Sequence, residues 1–138
     1  MLTAIAFVPA GGHLFELPNK IGLSEEHYFV AQSIYRGWAL FGNVIIAAIA
    51  ANLTLALTSW RRRRRYWPSL AAALILAGTV LVFFAWTQPA NVATRYWTVT
   101  TPDWQKLRTQ WEWSHAANAV LTFIALCCAT LSALRSAE

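Results

Sequence analysis

The residues of this sequence that are best suited to chemistry form two histidine–glutamate pairs near opposite ends of the chain. His13 and Glu16 lie three positions apart, and Glu112 and His115 repeat that spacing in the reverse order. Residues at this spacing share one face of a helix. If the first helix runs outward through a membrane and the last runs inward, the reversed order places both histidines at one depth and both glutamates at another.

These four side chains predict a metal site, because imidazole and carboxylate together suit transition metals such as iron, zinc, copper or manganese. The pattern is similar to half of a bundle-core site built from Glu-x-x-His motifs. A haem held between the two histidines is a less favoured alternative, since two glutamates would lie beside its edge. A third interpretation needs no cofactor, because Glu16 can pair with Lys20 and Glu112 with Arg108 on the same helix.

The elements that must position these pairs are membrane-spanning helices. Hydrophobic residues make up 57% of the chain and charged residues only 12%, whereas a soluble domain carries about 25% charged residues. The apolar residues form long blocks over 37–59, 67–88 and 116–134, and roughly 20 apolar residues of helix cross a bilayer. The shorter block 2–17 we also interpret as a span and not as a signal peptide, because no basic residue precedes it.

The sequence therefore predicts an all-α integral membrane protein, a four-helix bundle that forms a single transmembrane domain over residues 1–138. Its helices are expected at about 2–17, 28–60, 67–90 and 102–135. The basic run Arg61–Arg65 lies between two spans and next to Trp60 and Trp67. Basic loops stay in the cytoplasm and tryptophans favour the bilayer interface. Both termini are thus expected to be cytoplasmic in a multi-pass protein of the inner (plasma) membrane.

The remaining polar residues predict a pocket in the outer half of this bundle. Tyr35, Arg36, Asn91 and Asn118 fall at or inside the outer ends of the predicted helices, and buried amide and guanidinium groups need partners in apolar surroundings. The alternative is that they only bond one another between helices. Trp111 lies one turn before His115, so it could form a wall of a pocket for a flat aromatic ligand.

The segment 102–115, which runs from Pro102 through Trp111 and Glu112 to His115, resembles the last helix of the anthrone-oxygenase-like family of small four-helix membrane proteins. Asn91 fits the same pattern, and the segments 13–20 and 35–38 resemble a bacterial branch of that family. The resemblance implies that oxygen oxidises an anthrone-type aromatic carbon to a quinone carbonyl. It also implies that His115 is the base and that Asn91, Arg108 and Trp111 line the site.

We therefore expect a membrane oxidoreductase or oxygenase that acts on a small hydrophobic or aromatic substrate near the outer face, with His115, Glu112 and His13 as catalytic residues. Either a bound metal activates oxygen, or His115 removes a proton and the carbanion reacts with oxygen directly. The alternative function is a non-catalytic module that binds a metal, a haem or a lipophilic ligand, in a chain that could form a homo-oligomer. Nucleic-acid binding is not expected, because nothing but the arginine run supports it.

Overall fold

The computed structural model of the protein describes residues 1–135, and every regular element among them is helical. The α-helices of this part are α1 (Leu2–Lys20), α2 (Glu25–Gln32), α3 (Phe41–Thr58), α4 (Arg63–Val82), α5 (Gln88–Ala93) and α6 (Trp104–Leu134). Short 3₁₀ turns at Ser33–Tyr35 and Trp38–Leu40 join α2 to α3, and a π-helical turn at Phe83–Thr87 joins α4 to α5. The all-helical class predicted from the sequence is confirmed for these residues.

The long helices pack as a bundle in which α1 contacts α3 and α6, and α4 also contacts α3 and α6. Hydrogen bonds between helices show their relative directions. Ser69 near the start of α4 bonds Ser132 near the end of α6, and Thr87 beyond the end of α4 bonds Ser114 in the first half of α6. Helices α4 and α6 are therefore antiparallel, as short connections between neighbouring helices require.

Three helical stretches of the described chain are long and apolar enough to cross a membrane, namely Trp38–Thr58, Arg63–Ala93 and Trp104–Leu134. Their large apolar side chains mostly face outward, and the buried core between α3, α4 and α6 consists of Ala48, Ala72, Leu76 and Ala125. Small residues at helix contacts let backbones approach closely, which drives association where lipid is as apolar as the protein. The length and composition of these helices indicate a membrane protein.

Several helix boundaries differ from those expected, and two of the differences have a backbone cause. Instead of one helix over 28–60, the chain forms α2, two 3₁₀ turns and α3, because Gly37 adopts a φ of 89° that interrupts the helix. The predicted helix 67–90 begins earlier, at Arg63, and widens into the π turn just before Pro89. Proline lacks the N–H that a regular α-helical turn would use.

Helix α1 also extends further than expected, through Pro18 to Lys20, whereas the sequence predicted its end at about residue 17. Its N-terminal half is tied to α3 by a buried hydrogen bond. Asn52 Nδ2 donates to Thr3 Oγ1 at 3.0 Å and to the Ala48 carbonyl of its own helix at 2.8 Å. A polar bond of this kind sets the register of two helices whose other contacts are non-directional.

We expect the variant Thr3→Val to lower the free energy of unfolding by about 0.6 kcal/mol and by no more than about 1.7 kcal/mol, the range measured for hydrogen bonds between membrane helices. Unfolding in mixed detergent micelles measures this loss. The matched control is Thr54→Val, since Thr54 is exposed and its hydroxyl bonds only the Ala50 carbonyl of its own helix. Equal stability of both variants would show that the bond between α1 and α3 contributes nothing.

Candidate functional site

The two histidines singled out by the sequence lie side by side where α1 meets α6. The ring centroids of His13 and His115 are 4.1 Å apart. Around His13 stand the rings of Tyr35, Trp38 and Trp111, with centroids at 4.5, 5.4 and 5.1 Å. Trp111 also contacts His115 at 4.0 Å. We call these five residues the histidine cage.

The two glutamates are bound to a residue that the sequence analysis treated only as a possible ion-pair partner, Lys20. Its ammonium nitrogen lies 3.2 Å from Glu112 Oε1 and 3.4 Å from Glu16 Oε2. It also donates a hydrogen bond of 2.6 Å to the Tyr35 hydroxyl, which in turn contacts Glu16. Tyr28 donates to Glu112 Oε1 at 2.9 Å. We call these five residues the lysine cluster.

Burial explains why the lysine cluster has this composition. Lys20 is only 5% exposed and Glu112 is fully buried, and an isolated charge in such surroundings would cost several kcal/mol. The ammonium group therefore lies between two carboxylates, and it also faces the rings of Tyr35 and Trp111 at 4.3 and 4.8 Å. Cation–π contacts of this kind gain strength when the cation is removed from water.

The lysine cluster and the histidine cage share Tyr35, so they form one continuous site. Tyr35 belongs to the 3₁₀ turn after α2. Trp38 follows Gly37, whose left-handed conformation brings the Trp38 ring beside both Tyr35 and His13, at centroid distances of 5.0 and 5.4 Å. The extension of α1 through Pro18 carries Lys20 into contact with Glu112 of α6. Helix α1, the connection before α3 and helix α6 therefore each supply part of the site.

The predicted metal ligands do not converge on one point. Among the described residues no three His, Cys, Asp or Glu side chains form a group that could hold a metal ion, and both glutamates contact Lys20. Haem binding between the two histidines stays a prediction, and it requires their rings, whose centroids are 4.1 Å apart, to separate. A metal at His13, Glu16, Glu112 and His115 stays a prediction, and it requires the Lys20 contacts to open.

Of the two glutamate pairings that the cofactor-free interpretation proposed, the structure contains one. Glu16 pairs with Lys20, but Arg108 does not pair with Glu112. Arg108 Nη1 instead donates to the Leu23 carbonyl at 2.7 Å, and its guanidinium lies 4.7 Å from the ring centre of Trp104. Arg108 therefore ties the start of α6 to the connection between α1 and α2.

The other predicted pocket residues are divided between the site and its surroundings. Asn91 Oδ1 accepts a hydrogen bond of 2.9 Å from Trp111 Nε1, which fixes the orientation of that ring in the cage. Asn118 lies one turn beyond His115 along α6, and its buried Oδ1 has no hydrogen-bond partner among the described residues. Arg36 is exposed beside Gly37 and does not belong to the cage or the cluster.

An aromatic cap packs against the lysine cluster. It consists of Tyr28, Phe29, Trp97 and Trp104, with the Tyr28 and Trp97 rings 5.0 Å apart. Residues 95–97 all have positive φ angles, between 47° and 59°, although none is glycine. Such a left-handed turn costs roughly 1–2 kcal/mol per residue, so the burial of Trp97 must offset it.

The hydroxyl of Tyr28 stays protonated at neutral pH. Burial, followed by the negative charge of Glu112, raises the pKa of this hydroxyl well above its usual range. A protonated phenol can donate to the Glu112 carboxylate, and Gln32 Nε2 in turn donates to the phenol oxygen at 2.5 Å. Helix α2 therefore supports the buried carboxylate through Tyr28 and Gln32.

Sequence reasoning missed Lys20, Tyr28 and Trp38 as members of the site. The i, i+4 spacing of Glu16 and Lys20 was a signal for one contact, but it did not show that Lys20 also reaches α6. Tyr28 and Trp38 belong to separate short elements, and no sequence spacing relates them to the residues that they contact. Their roles follow from the tertiary packing alone.

A groove of about 300 Å³ opens beside the lysine cluster, at the lower end of the volumes that bind small molecules. Its lining combines polar and apolar side chains. Its lining residues are Glu16, Asn19, Lys20, Leu23, Ala31, Ile34 and Tyr35. A small molecule with an apolar body and a polar end matches this surface.

Comparisons of the chain with protein-family models, with curated proteins and with solved structures found no match. The resemblance of residues 102–115 to the anthrone-oxygenase-like family therefore stays an expectation. The function must be argued from the chemistry of the cage, the cluster and the groove.

We expect the variant Lys20→Met to lower the free energy of unfolding by about 3–5 kcal/mol, because it leaves a buried carboxylate without its counter-charge. The double variant Lys20→Met, Glu112→Gln should lose less, since it removes the uncompensated charge as well. Lys106→Met is the matched control, as Lys106 is an exposed lysine on α6. Unfolding in mixed micelles measures all three, and a Lys20→Met variant as stable as the control would contradict this account of the cluster.

Proposed function

We propose that the protein is a membrane oxidoreductase that uses oxygen to oxidise a small hydrophobic aromatic substrate in the outer half of its bundle. The observation that carries this proposal is the pair of imidazoles 4.1 Å apart inside an aromatic cage, next to a buried ammonium group. Aromatic walls suit a flat apolar substrate. The imidazoles supply a base, and the ammonium supplies a positive charge for an oxygen atom that becomes negative during reaction.

The groove is the proposed entrance for the substrate. Leu23, Ala31 and Ile34 suit an apolar body. The three donors of the Lys20 ammonium bond Glu16, Glu112 and Tyr35, so a carbonyl or phenol oxygen reaches the ammonium by displacing Glu16, the more exposed carboxylate. The ring of Tyr35 lies between the groove and His13, with a centroid separation of 4.5 Å from the imidazole. A substrate that displaces this ring enters the histidine cage with its oxygen still close to Lys20.

His115 is the proposed catalytic base. Its ring nitrogens have no hydrogen-bond partner among the described residues, so a neutral imidazole there can accept a proton from an acidic carbon next to a carbonyl. The negative charge then moves to the carbonyl oxygen, where Lys20 stabilises it. The carbanion reacts with O₂, and the complete reaction converts one CH₂ group and one O₂ to a carbonyl group and one water. Glu112 and Tyr28 act as positioning residues that hold Lys20.

We further propose that α1 is a fourth membrane span and that both termini are cytoplasmic. The support for α1 is its packing along α3 and α6 from Thr3 to Lys20. The support for the orientation is that Arg61–Arg65 and Arg135 lie together at one end, where Arg135 Nη1 donates to the Arg64 carbonyl. Basic residues favour the cytoplasmic side of an inner membrane.

Single cysteines introduced into a variant without Cys127 and Cys128 test this orientation. A membrane-impermeant maleimide should label Val99→Cys in intact cells or spheroplasts, but should label Leu2→Cys and Arg62→Cys only after lysis. All three positions are exposed in the structure, so access depends on the side of the membrane. Labelling of Leu2→Cys from the outside would contradict the proposed span of α1.

Oxygen uptake by purified protein in lipid nanodiscs tests the activity, with an anthrone as the substrate probe. We expect His115→Ala to lower turnover by at least about 100-fold, because a general base contributes at least that factor. His27→Ala is the matched control, since His27 is exposed on α2 and hydrogen-bonded only to Ser24. Elemental mass spectrometry of the same protein, beside a His13→Ala, His115→Ala variant, decides whether a metal takes part. Turnover unchanged in His115→Ala would refute the proposed base.

A second candidate function is non-catalytic binding of a lipophilic ligand. The observation that favours it is that the Tyr35 ring lines the groove and contacts His13, at a centroid distance of 4.5 Å, whereas neither histidine lines the groove. A ligand could then occupy the groove and bond Lys20 without meeting either imidazole. Quenching of tryptophan fluorescence by the anthrone, with no oxygen uptake, would favour this function over the oxidoreductase.

A further inference from the structure

We infer that the end of the bundle opposite the candidate site binds the phosphate groups of anionic phospholipids. Arg61–Arg65 and Arg135 are brought together there, and we call these six residues the arginine collar. The collar does not take part in the proposed reaction. The positive charge of these six residues exceeds the net charge of +5 of the whole chain. The rest of the chain is therefore nearly neutral.

The collar has the surroundings of a membrane–water interface. Trp60 is 62% exposed and Trp67 is 60% exposed, one on each side of the arginine run. The guanidinium of Arg61 lies 4.9 Å from the centre of the Trp60 ring. Tryptophan side chains favour the level of lipid headgroups, and this contact holds Arg61 at that level.

The backbone of the collar is held in place by α6. Arg135 Nη1 donates to the Arg64 carbonyl at 3.1 Å, and Ser132 Oγ donates to the Arg65 carbonyl at 3.3 Å. Ser132 also bonds Ser69 at 2.6 Å, deeper in the bundle. The carbonyl oxygens of Arg64 and Arg65 are thus used within the protein. The backbone of the collar is therefore fixed by α6, and from it Arg61, Arg62 and Arg63 expose their side chains.

Among the described residues, no acidic side chain lies at the collar. Helix α4 begins at Arg63 with no acidic residue in its first turn, and its N-cap Arg62 makes no side-chain cap. The N-terminus of a helix adds a partial positive charge to that of the guanidinium groups. The acidic residues of the described chain all belong to the other end: Glu16, Glu25, Glu26, Asp103 and Glu112.

Phosphate oxygens are the acceptors that complement this surface, because guanidinium groups bind them through charge-assisted hydrogen bonds. Lipid is the source that fits best, since the collar lies at the end of helices long and apolar enough to cross a bilayer. Phosphatidylglycerol and cardiolipin present phosphodiester groups at that depth. The ligand class is therefore an anionic phospholipid headgroup.

Native mass spectrometry of the detergent-purified protein tests this inference with phosphatidylglycerol and phosphatidylcholine as probes. We expect phosphatidylglycerol to bind at least about tenfold more tightly, and the Arg61→Gln, Arg62→Gln, Arg63→Gln variant to lose that preference. The matched control is Arg36→Gln, Arg95→Gln, Lys106→Gln, which removes three exposed positive charges from the other end and should keep the preference.

A second measurement on the wild-type protein does not depend on how the variants fold. The thermal stabilisation by phosphatidylglycerol should decrease as salt rises from about 0.1 M to about 1 M, because screening shortens the range of surface electrostatics. Equal binding of the two lipids, or an equal loss in both triple variants, would overturn the inference. So would displacement of phosphatidylglycerol by an equal concentration of inorganic phosphate or of a short oligonucleotide, which would assign the collar to another phosphate source.

Discussion

The candidate site depends on the burial of one ammonium group, that of Lys20, between α1 and α6. A charge removed from water must be compensated, and Glu16 and Glu112 provide the compensation from two different helices. Tyr28 and Tyr35 bond the same groups from the segment between α1 and α3. Because the charge requires all these partners at once, it fixes the relative positions of elements that are otherwise joined by non-directional apolar contacts.

The same constraint relates the stability of the bundle to its proposed chemistry. The Lys20 ammonium is held rigidly beside Tyr35 and Trp111, which are also walls of the histidine cage. A positive charge that is already oriented stabilises a developing oxyanion without reorganisation, and here the oxyanion would take the place of the more exposed Glu16 carboxylate beside the ammonium. The contacts that make the burial of Lys20 tolerable therefore also set the charge and shape that a substrate would meet.

The two ends of the bundle differ in chemistry because charge is distributed unevenly along the chain. Acidic and basic side chains are paired at the end that holds the site, whereas the described residues place no acidic side chain at the arginine collar. Between them, buried hydroxyl and amide bonds such as Asn52–Thr3 and Ser69–Ser132 hold the helices in register. An apolar bilayer tolerates such polar groups only where they satisfy one another.

The sequence by itself determined the helical class and the apolar helices, because the length and polarity of a segment decide whether it can cross a bilayer. It also indicated His13 and His115 as candidate site residues, because the spacing of each histidine from its glutamate depends on one helix alone. Spacing along one helix does not show which partner a side chain finds on another. Only the tertiary structure decided that Lys20 binds both glutamates, that Arg108 contacts Leu23 instead of Glu112, and that Gly37 divides the predicted second helix. The physical reason is that these outcomes follow from the combined packing and charge balance of several segments.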